Sequence, residues 1–277
     1  MLSDLKHTVA YVTIKEWRKA LLRKIKLAQY LGDSHECPVC GTRLRKFKPI
    51  WKSFLRKTAE AGYVHPLTSV ETFNFTAYSC PACDASDRER LFALFFGGVF
   101  QSLDRGRRYR FIEFAPSRAL RRWFKRYPFV EHRGADLYRK TVDDNVDITD
   151  MTIYPDGSIN LFLCSHILEH VPDDRKALRE LRRVLAPDGL GVILVPLIRG
   201  IEDTQEDAAI DSPELRWKYY MDADHRRQYG RRDFVDRMTE AGFRVVQVTV
   251  DSFPPDTFAR AGIAEDSVLY VVRKSGG

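Results

Sequence analysis

The 277-residue sequence has no apolar run that approaches the about 18 residues needed to cross a bilayer, which argues against an integral membrane protein. Its first residues, MLSDLKHTVAYVTIKEWRK, contain neither an uninterrupted apolar core nor a small-residue cleavage site, so we expect a cytoplasmic protein. Internal repeats and low-complexity segments are also missing. The 44% hydrophobic and 12% aromatic content suits a globular protein, and the length fits one α/β domain with an appendage.

Cysteine is scarce, and four of the five cysteines form two CxxC pairs, Cys37/Cys40 and Cys80/Cys83. Two such knuckles supply four thiolates in the tetrahedral arrangement that zinc prefers. Disulfides do not suit a cytosolic protein, and a redox CxxC does not explain two pairs. We therefore predict structural zinc in a closed site without metal catalysis. Cys164 lies in a hydrophobic run and is predicted to be a buried strand residue.

Positive charge is concentrated at the start of the chain. Residues 1–60 hold 14 Lys and Arg against 5 Asp and Glu, a net +9 within a total of +7. Such an arm attracts the phosphates of RNA or of an anionic membrane, or it is simply a solvated face. Residues 1–34 are predicted to form a basic amphipathic helix whose apolar face docks on the protein, with a membrane surface as the alternative. That face holds Trp17, Leu21, Ile25 and Ala28, whereas Arg18, Lys19, Arg23 and Lys26 lie off it.

Residues 35–104 are predicted to hold the zinc-ribbon module and a connecting helix. Within them, ETFNFTAYS (71–79) alternates like a strand that enters the second knuckle. The segment SDRERLFALFFGGVF (86–100) predicts a helix that begins after Ser86 as N-cap and stops at Gly97–Gly98.

From residue 105 to residue 277, strands and helices alternate. RFIEFA, VEHRGADL, INLFLCSH and LGVILVPL predict successive strands, VDIT between the second and third of these is predicted to be short and extended, and strands RVVQVTV and SVLYVVRK follow a later helix. Continuous apolar strands separated by helices predict a mainly parallel, doubly wound sheet. Ligands of such sheets bind beyond the carboxyl ends of the strands. Asp136 ends the second strand about 23 residues after Glu113, a spacing that suits an acid which binds the two ribose hydroxyls.

The segment 156–196, DGSINLFLCSHILEHVPDDRKALRELRRVLAPDGLGVILVP, resembles class I S-adenosylmethionine-dependent methyltransferases. The pattern is a strand, LEHV, a charged helix, LRRVLAPDG and an apolar strand, and YGRRDFVDRMTEAGF resembles the later helix of that family. The two Cys knuckles and the FAP turn are similar to those of a bacterial zinc-ribbon subgroup. The resemblance implies a Rossmann-like, seven-stranded methyltransferase sheet over about residues 105–273.

The resemblance also implies roles for individual residues. Glu113 would be the acid of the first motif, and Ala115, Pro116 and Ser117 the turn that faces the methionine end of S-adenosylmethionine. Asp136 would bind the ribose, and Asp147 and Ile148 would flank the adenine. Ser165 and His166 would end the fourth strand near the sulfonium and the acceptor.

The turn after Phe114 departs from the family pattern because it has no glycine. A dinucleotide turn needs glycine so that a pyrophosphate can reach backbone N–H groups. S-adenosylmethionine has no phosphate, so small residues can suffice, and we predict that the turn still binds the cofactor. Asn160 is a second departure, since an Asp often begins the fourth strand.

Two segments near the predicted acceptor site allow more than one interpretation. HILEH, from His166 to His170, formally matches a signature of zinc peptidases. Because His166 falls at a strand end and no downstream helix offers a third ligand, we do not expect a metal there. His166 is either close to the acceptor or structural, and His170 is predicted to be a packing residue. The insertion 198–230 is predicted to be an acceptor lid, acidic and then aromatic and basic, in which His225 is either a general base or a hydrogen-bonded lid residue.

The sequence thus predicts a methyltransferase that acts on a small-molecule or glycan-type acceptor, with peripheral contact to the inner membrane as an option. One alternative is an RNA methyltransferase whose ribbon and basic arm hold phosphates. The other is a non-catalytic zinc-ribbon adaptor on a degenerate methyltransferase fold.

Overall fold

The computed structural model describes Trp17, Leu21, Leu22 and residues 25–276. Seven strands form one sheet in the order β5-β4-β3-β6-β7-β9-β8, and β1 and β2 form a separate hairpin. Strands β3 to β7 run parallel to one another, and β9 is antiparallel to both of its neighbours, β7 and β8. The predicted Rossmann-like seven-stranded sheet is confirmed. In the described residues the strands are β1 (Leu31–Glu36), β2 (Arg43–Leu44), β3 (Tyr109–Phe114), β4 (Val130–Asp136), β5 (Asp144–Asn145), β6 (Ile159–Ser165), β7 (Leu185–Leu194), β8 (Phe243–Val248) and β9 (Leu269–Lys274).

Helices cover the sheet because its central strands are apolar on both faces. Phe111, Phe162 and Val192, on three neighbouring strands, are each fully buried. In the described residues the α-helices are α1 (Lys52–Glu60), α2 (Asp87–Ser102), α3 (Arg118–Phe124), α4 (Asp174–Val184), α5 (Pro213–Tyr220), α6 (Arg231–Glu240) and α7 (Thr257–Ala261). No helix in this part of the chain combines the length and the apolarity that a membrane span requires.

Helix α2 begins where the sequence predicts and ends later. The Ser86 hydroxyl accepts from the Glu89 backbone N–H at 3.3 Å while the Glu89 carboxylate accepts from the Ser86 N–H at 2.6 Å, a reciprocal cap. The predicted stop at Gly97–Gly98 is wrong, because the helix continues to Ser102. Its aromatic residues pack on β3, with the Phe96 ring 4.8 Å from that of Phe111, and this packing outweighs the low helix propensity of glycine.

Three further local predictions fail. Residues 71–79 form turns instead of a strand, since the Asn74 side chain accepts from the Ala77 N–H at 3.0 Å and fixes a turn inside the alternating pattern. VDIT (146–149) is a turn instead of an extended segment, since the Asp147 side chain accepts from the Thr149 N–H at 2.8 Å, and β5 lies just before it. Of the N-terminal apolar face, Trp17, Leu21 and Ile25 are 75%, 57% and 59% exposed, so docking is wrong for them. Arg18, Lys19 and Arg23 lie outside the described residues.

Residues 35–104, which contain the four knuckle cysteines and are called the ribbon below after their predicted nature, contact the sheet domain through a fully buried arginine, Arg90 of α2. Its guanidinium donates five hydrogen bonds, all to backbone carbonyls, at 2.5–3.1 Å. Three acceptors (Ala77, Tyr78 and Ala85) flank the second Cys knuckle, and two (Ala261 and Gly262) end α7. The guanidinium also lies 3.9 Å from the centre of the Phe47 ring. This side chain is thus one of the contacts that hold the ribbon and the sheet domain together, beside the hydrogen bonds of Glu71 to Arg231 and Tyr270.

Candidate functional site

A cavity of about 410 Å³ lies between the ribbon and the carboxyl ends of β3 and β6. This volume falls within the range of small-molecule sites. The ends of β3 and β6 meet because the strands are neighbours in the parallel sheet. The wall on the sheet side includes Glu113, Phe114, Ala115, Ser117, Leu163, Ser165 and His166, and the wall on the ribbon side includes Lys48, Trp51, Tyr78, Asp84, Arg88 and Glu89.

The turn after β3 contains a residue in the left-handed backbone conformation that usually requires glycine, although the turn has no glycine. Ala115 has a φ of 51°, in the left-handed region that costs a non-glycine residue about 1–2 kcal/mol. Pro116 packs against β4, where a Cβ on Gly134 would lie 2.6 Å from the Pro116 Cγ. The Ser117 hydroxyl accepts from the Leu120 N–H at 3.0 Å and caps α3. The glycine in this region is Gly134 on the neighbouring strand β4, where the absence of a side chain leaves room for Pro116.

Glu113 organises this turn from below. Its carboxyl is 2% exposed and accepts from His132 Nε2 at 2.7 Å and from the Ser117 N–H at 2.9 Å. Burial raises the pKa of Glu113, and the hydrogen bond to His132 opposes that shift. Both carboxylate oxygens are engaged, so the acid shapes the loop that borders the cavity.

Asp136 lies at the end of β4, outside the lining of the cavity. Its Oδ1 accepts from the N–H groups of Tyr138 and Arg139 at 2.9 Å each. Its Oδ2 is 3.7 Å from Nε of Arg139, whose guanidinium also donates to the Pro116 carbonyl at 2.6 Å. Arg139 thus spans the gap between the β3 turn and the β4 end. The side chain of Arg139 is half-exposed.

Asp147 and Ile148, the two residues predicted to flank the adenine, lie apart from the predicted cofactor residues that line the cavity. Asp147 is exposed, and its Oδ1 accepts from both the N–H and the hydroxyl of Thr149 at 2.8 Å, which closes a local turn. Ile148 is buried in the core at 7% exposure. Neither residue lines the cavity.

His166 directly follows the carboxyl end of β6 and lines the cavity. Its φ of 55° is unusual for a residue other than glycine, and such backbones occur often at functional sites. Arg88 hydrogen-bonds to Nε2. Because a guanidinium only donates, Nε2 is the acceptor and the proton of the neutral ring lies on Nδ1. Burial, followed by the nearby Arg88 charge, lowers the pKa of His166 to about 4, so the ring is neutral at pH 7.

Glu169 lies behind His166 and is fully buried. His166 Nδ1 is 3.3 Å and His225 Nε2 is 3.9 Å from Glu169 Oε1, and His170 packs edge-on against the His225 ring at 4.7 Å. Burial, the largest effect, raises the pKa of Glu169, but the close approach of His166 outweighs it and brings this pKa down to about 2. His225 is 6% exposed and does not line the cavity. The two predicted catalytic histidines therefore face the same buried carboxylate, and only His166 lines the cavity.

The lid segment 198–230 is packed against the loop after β6. The buried guanidinium of Arg227 donates to the carbonyls of Leu168, Val171 and Pro172 at 2.8–3.1 Å. Two of the aromatic residues that the sequence places in the lid, Trp217 and Tyr220, are 8% and 1% exposed. They form lid core instead of a stacking surface.

The four knuckle cysteines come together although 39 residues separate the pairs. The sulfurs of Cys37 and Cys83 are 3.7 Å apart, and those of Cys40 and Cys80 are 3.8 Å apart. Tetrahedral zinc with Zn–S bonds of about 2.3 Å requires sulfur separations of about 3.8 Å. Cys164 is fully buried in β6, as predicted.

The residues of the cavity wall that sequence reasoning missed include Trp51, Tyr78 and Arg88. Trp51 is 61% exposed and meets Tyr78 edge-on, with ring centres 5.4 Å apart. Arg88 lies in the first turn of α2, where the sequence offered only a helix start. The ribbon brings all three across from the strand ends, a contact that no spacing in the sequence encodes.

The sequence matches the family model described as "Methyltransferase domain" over residues 97–248. No curated protein matches the chain. Solved structures with a similar fold include an S-adenosylmethionine-dependent methyltransferase from Mesorhizobium loti, at 15% identity over 64% of this chain and 96% of that one, with a TM-score of 0.42. The 1,6-didemethyltoxoflavin-N1-methyltransferase of Burkholderia thailandensis is 14% identical over 68% of this chain and 87% of that one, with a TM-score of 0.43. The [4+2]-cyclase SpnF is 14% identical over 84% of this chain and 100% of that one, with a TM-score of 0.44.

Proposed function

Because the chain belongs to the methyltransferase-domain family, we propose that it transfers a methyl group from S-adenosylmethionine to a small-molecule or glycan-type acceptor bound in the cavity between the ribbon and the sheet. One observation supports this most strongly. Ala115 and Ser117, which the family resemblance assigns to the methionine end of the cofactor, and Ser165 and His166, which it assigns to the sulfonium and the acceptor, line a single cavity of suitable volume.

The cofactor residues follow from the charges and the backbone around the turn. The methionine carboxylate would pair with Arg88, and its ammonium with Glu89, both on the opposite wall of the cavity. Ala115, Pro116 and Ser117 would flank it, with their shape fixed by Glu113. Asp136 would bind the ribose through Oδ2 after Arg139 moves aside. When bound, S-adenosylmethionine supplies a methyl group activated by a positive sulfonium.

Asp147 and Ile148 would contribute less to cofactor binding than Asp136. The adenine would lie at the rim beside residues 146–149, where Ile148 provides an apolar floor only if its turn shifts. Asp147 would have to release the Thr149 N–H to accept from the exocyclic amine. We therefore assign most of the adenosine recognition to Asp136.

His166 would position the acceptor more than it would deprotonate it. Its lowered pKa makes it a weak base at pH 7, and Arg88 already donates to Nε2. If the hydroxyl of the methyl acceptor replaced Arg88 as the hydrogen-bond donor to His166 Nε2, the ring would orient that oxygen toward the methyl group. Positioning of this kind supplies much of the rate of a methyl displacement. His225 would act only through Glu169, because it lies outside the cavity wall.

The wall chemistry supports a small acceptor. Trp51 and Tyr78 offer an apolar surface at the cavity mouth, suited to a flat ring or a sugar face. The charged groups are mixed, with Lys48 and Arg88 set against Asp84, Glu89 and Glu113. A mixed lining does not attract a polyphosphate backbone, unlike the net +9 of residues 1–60, which keeps RNA as the second candidate.

Methyl-tritiated S-adenosylmethionine separates these functions when it is incubated with the protein and either a small-molecule extract or total RNA. We expect label in the small-molecule fraction and less of it with Trp51→Ala. Label in RNA, together with RNA affinity that falls steeply with salt, would support the RNA alternative. Absence of cofactor binding by a folded protein would support the non-catalytic adaptor.

The ribbon completes the proposal. We infer that Cys37, Cys40, Cys80 and Cys83 hold one structural zinc, since their sulfur separations fit a tetrahedral ion. The zinc-ribbon module (35–104) would then form one wall of the active site, and the domain 105–277 with its lid 198–230 would form the other. A cytoplasmic location and contact of the basic segment (1–34) with the inner membrane remain predictions.

A further inference from the structure

Behind the cavity, a cluster of one acid and two histidines lies between the loop after β6 and the lid. Glu169, His170 and His225 each offer a ligand atom, and these atoms lie within 4.8 Å of one another. Glu169 and His225 are 0% and 6% exposed, and the side chain of His170 is half-exposed. The methyltransferase assignment gives this cluster no task of its own.

Buried polar atoms of this cluster lack well-formed hydrogen bonds. Neither oxygen of Glu169 has a hydrogen bond of good geometry, with His166 Nδ1 at 3.3 Å from Oε1 as its nearest ring nitrogen, and Nδ1 of His170 has none either, with only the exposed Asp224 carboxylate at 3.3 Å. A carboxylate that is taken out of water without hydrogen bonds is strongly destabilised. An ion between the three side chains would remove that destabilisation.

The orientation of His225 adds an independent argument. Its Nδ1 lies 2.6 Å from the carbonyl oxygen of Tyr220, which can only accept, so Nδ1 carries the proton. In the neutral ring Nε2 therefore presents a lone pair, and this lone pair faces Glu169 Oε1 at 3.9 Å. Two acceptors face each other across a gap. A backbone carbonyl that fixes one ring nitrogen while the other is free is the usual arrangement around a metal-bound histidine.

We propose that Glu169, His170 and His225 bind one divalent ion of the zinc class, separate from the four-cysteine site. Two imidazole nitrogens and one carboxylate oxygen form a known zinc ligand set that leaves a fourth position open. Asp224, exposed and 3.3 Å from Nδ1 of His170, is placed to fill that position. Tetrahedral coordination at about 2.0 Å needs ligand separations of about 3.3 Å, so binding draws the three side chains together. The ion would clamp the lid to the loop after β6.

The inference does not depend on methyl transfer, and its test reads metal content. The full-length chain and its variants are loaded with zinc, desalted and analysed by mass spectrometry for zinc per chain. Glu169→Gln and His170→Gln should each hold one zinc fewer than the wild type. Glu214→Gln, which alters an exposed acid of the same lid, is the matched control and should keep the full content. His170→Gln decides the result if the buried Glu169→Gln variant fails to fold.

Cobalt substitution assigns the lost ion to a site. Thiolate-bound cobalt gives intense near-ultraviolet charge-transfer bands, whereas a nitrogen and oxygen site gives only visible d–d bands. We expect His170→Gln to weaken cobalt binding at the nitrogen and oxygen site by at least about 100-fold. Even substitutions of residues that only contact a metal ligand lower metal affinity by about 10–100-fold. Equal metal content in all variants, or unchanged d–d bands in His170→Gln, would overturn the proposal.

Discussion

Replacing Arg90 by methionine should destabilise the whole protein. The substitution keeps a long apolar stem but removes a guanidinium that donates five hydrogen bonds in a fully buried position. Removing one partner of such a buried charged network costs about 3–5 kcal/mol, because the carbonyls left behind lose their donors. For a chain of this size each kcal/mol lowers Tm by about 2–4 °C, so we expect a decrease of about 6–20 °C.

Thermal unfolding followed by circular dichroism measures this change, and zinc release followed with a chromogenic chelator reports on the ribbon. Both should shift to lower temperature together, since Arg90 ties the second Cys knuckle to the end of α7. Arg122→Met, on the exposed face of α3, is the matched control and should leave Tm within about 1 °C. A Tm for Arg90→Met within about 2 °C of the wild type would refute the assigned role of this arginine.

Three other predictions concern the sheet domain. Ala115→Gly should stabilise the chain by about 0.5–1 kcal/mol in urea unfolding, because glycine adopts the positive φ without strain; a loss of stability would argue against that backbone. Asp144→Asn should cost about 1–2 kcal/mol at pH 7, since its hydrogen bonds to Arg133 lower the pKa of Asp144. That stability is present above the ordinary value of 3.8 and is lost as the pH falls below it, so the urea midpoints of wild type and variant should converge in acid; a constant gap would contradict the ion pair. Burial raises the pKa of Cys164, so iodoacetamide should modify it only after unfolding, and labelling in native buffer, read by mass spectrometry, would show that it is accessible.

The central sheet could be predicted because its signals are local. Apolar runs such as that ending at Ser165, separated by amphipathic helices, leave few arrangements other than a covered parallel sheet. Ser86 was recognisable as a helix cap because its partner Glu89 is three residues away. Periodicity failed at residues 71–79, where the Asn74 side chain closes a turn, and at Gly97, where aromatic packing carries the helix onward.

The site was predictable only on the side of the strand ends. Ala115 and His166 follow strands, so their convergence follows from the sheet topology. Arg88 comes from a helix that precedes the first strand of the sheet, and only the ribbon fold brings it to the cavity. Glu169 and His225 are 56 residues apart, and they meet because the lid turns back on the loop after β6.

The most direct test of the account is calorimetric titration of the zinc-loaded protein with S-adenosylmethionine, beside Asp136→Ala and the control Glu131→Ala, an exposed acid on the same strand. Two ribose hydrogen bonds to a carboxylate, at about 1.5 kcal/mol each, predict a Kd about 100-fold weaker for Asp136→Ala and unchanged for Glu131→Ala. Absence of binding heat for the folded wild type, or equal affinity for wild type and Asp136→Ala, would contradict the proposed cofactor site.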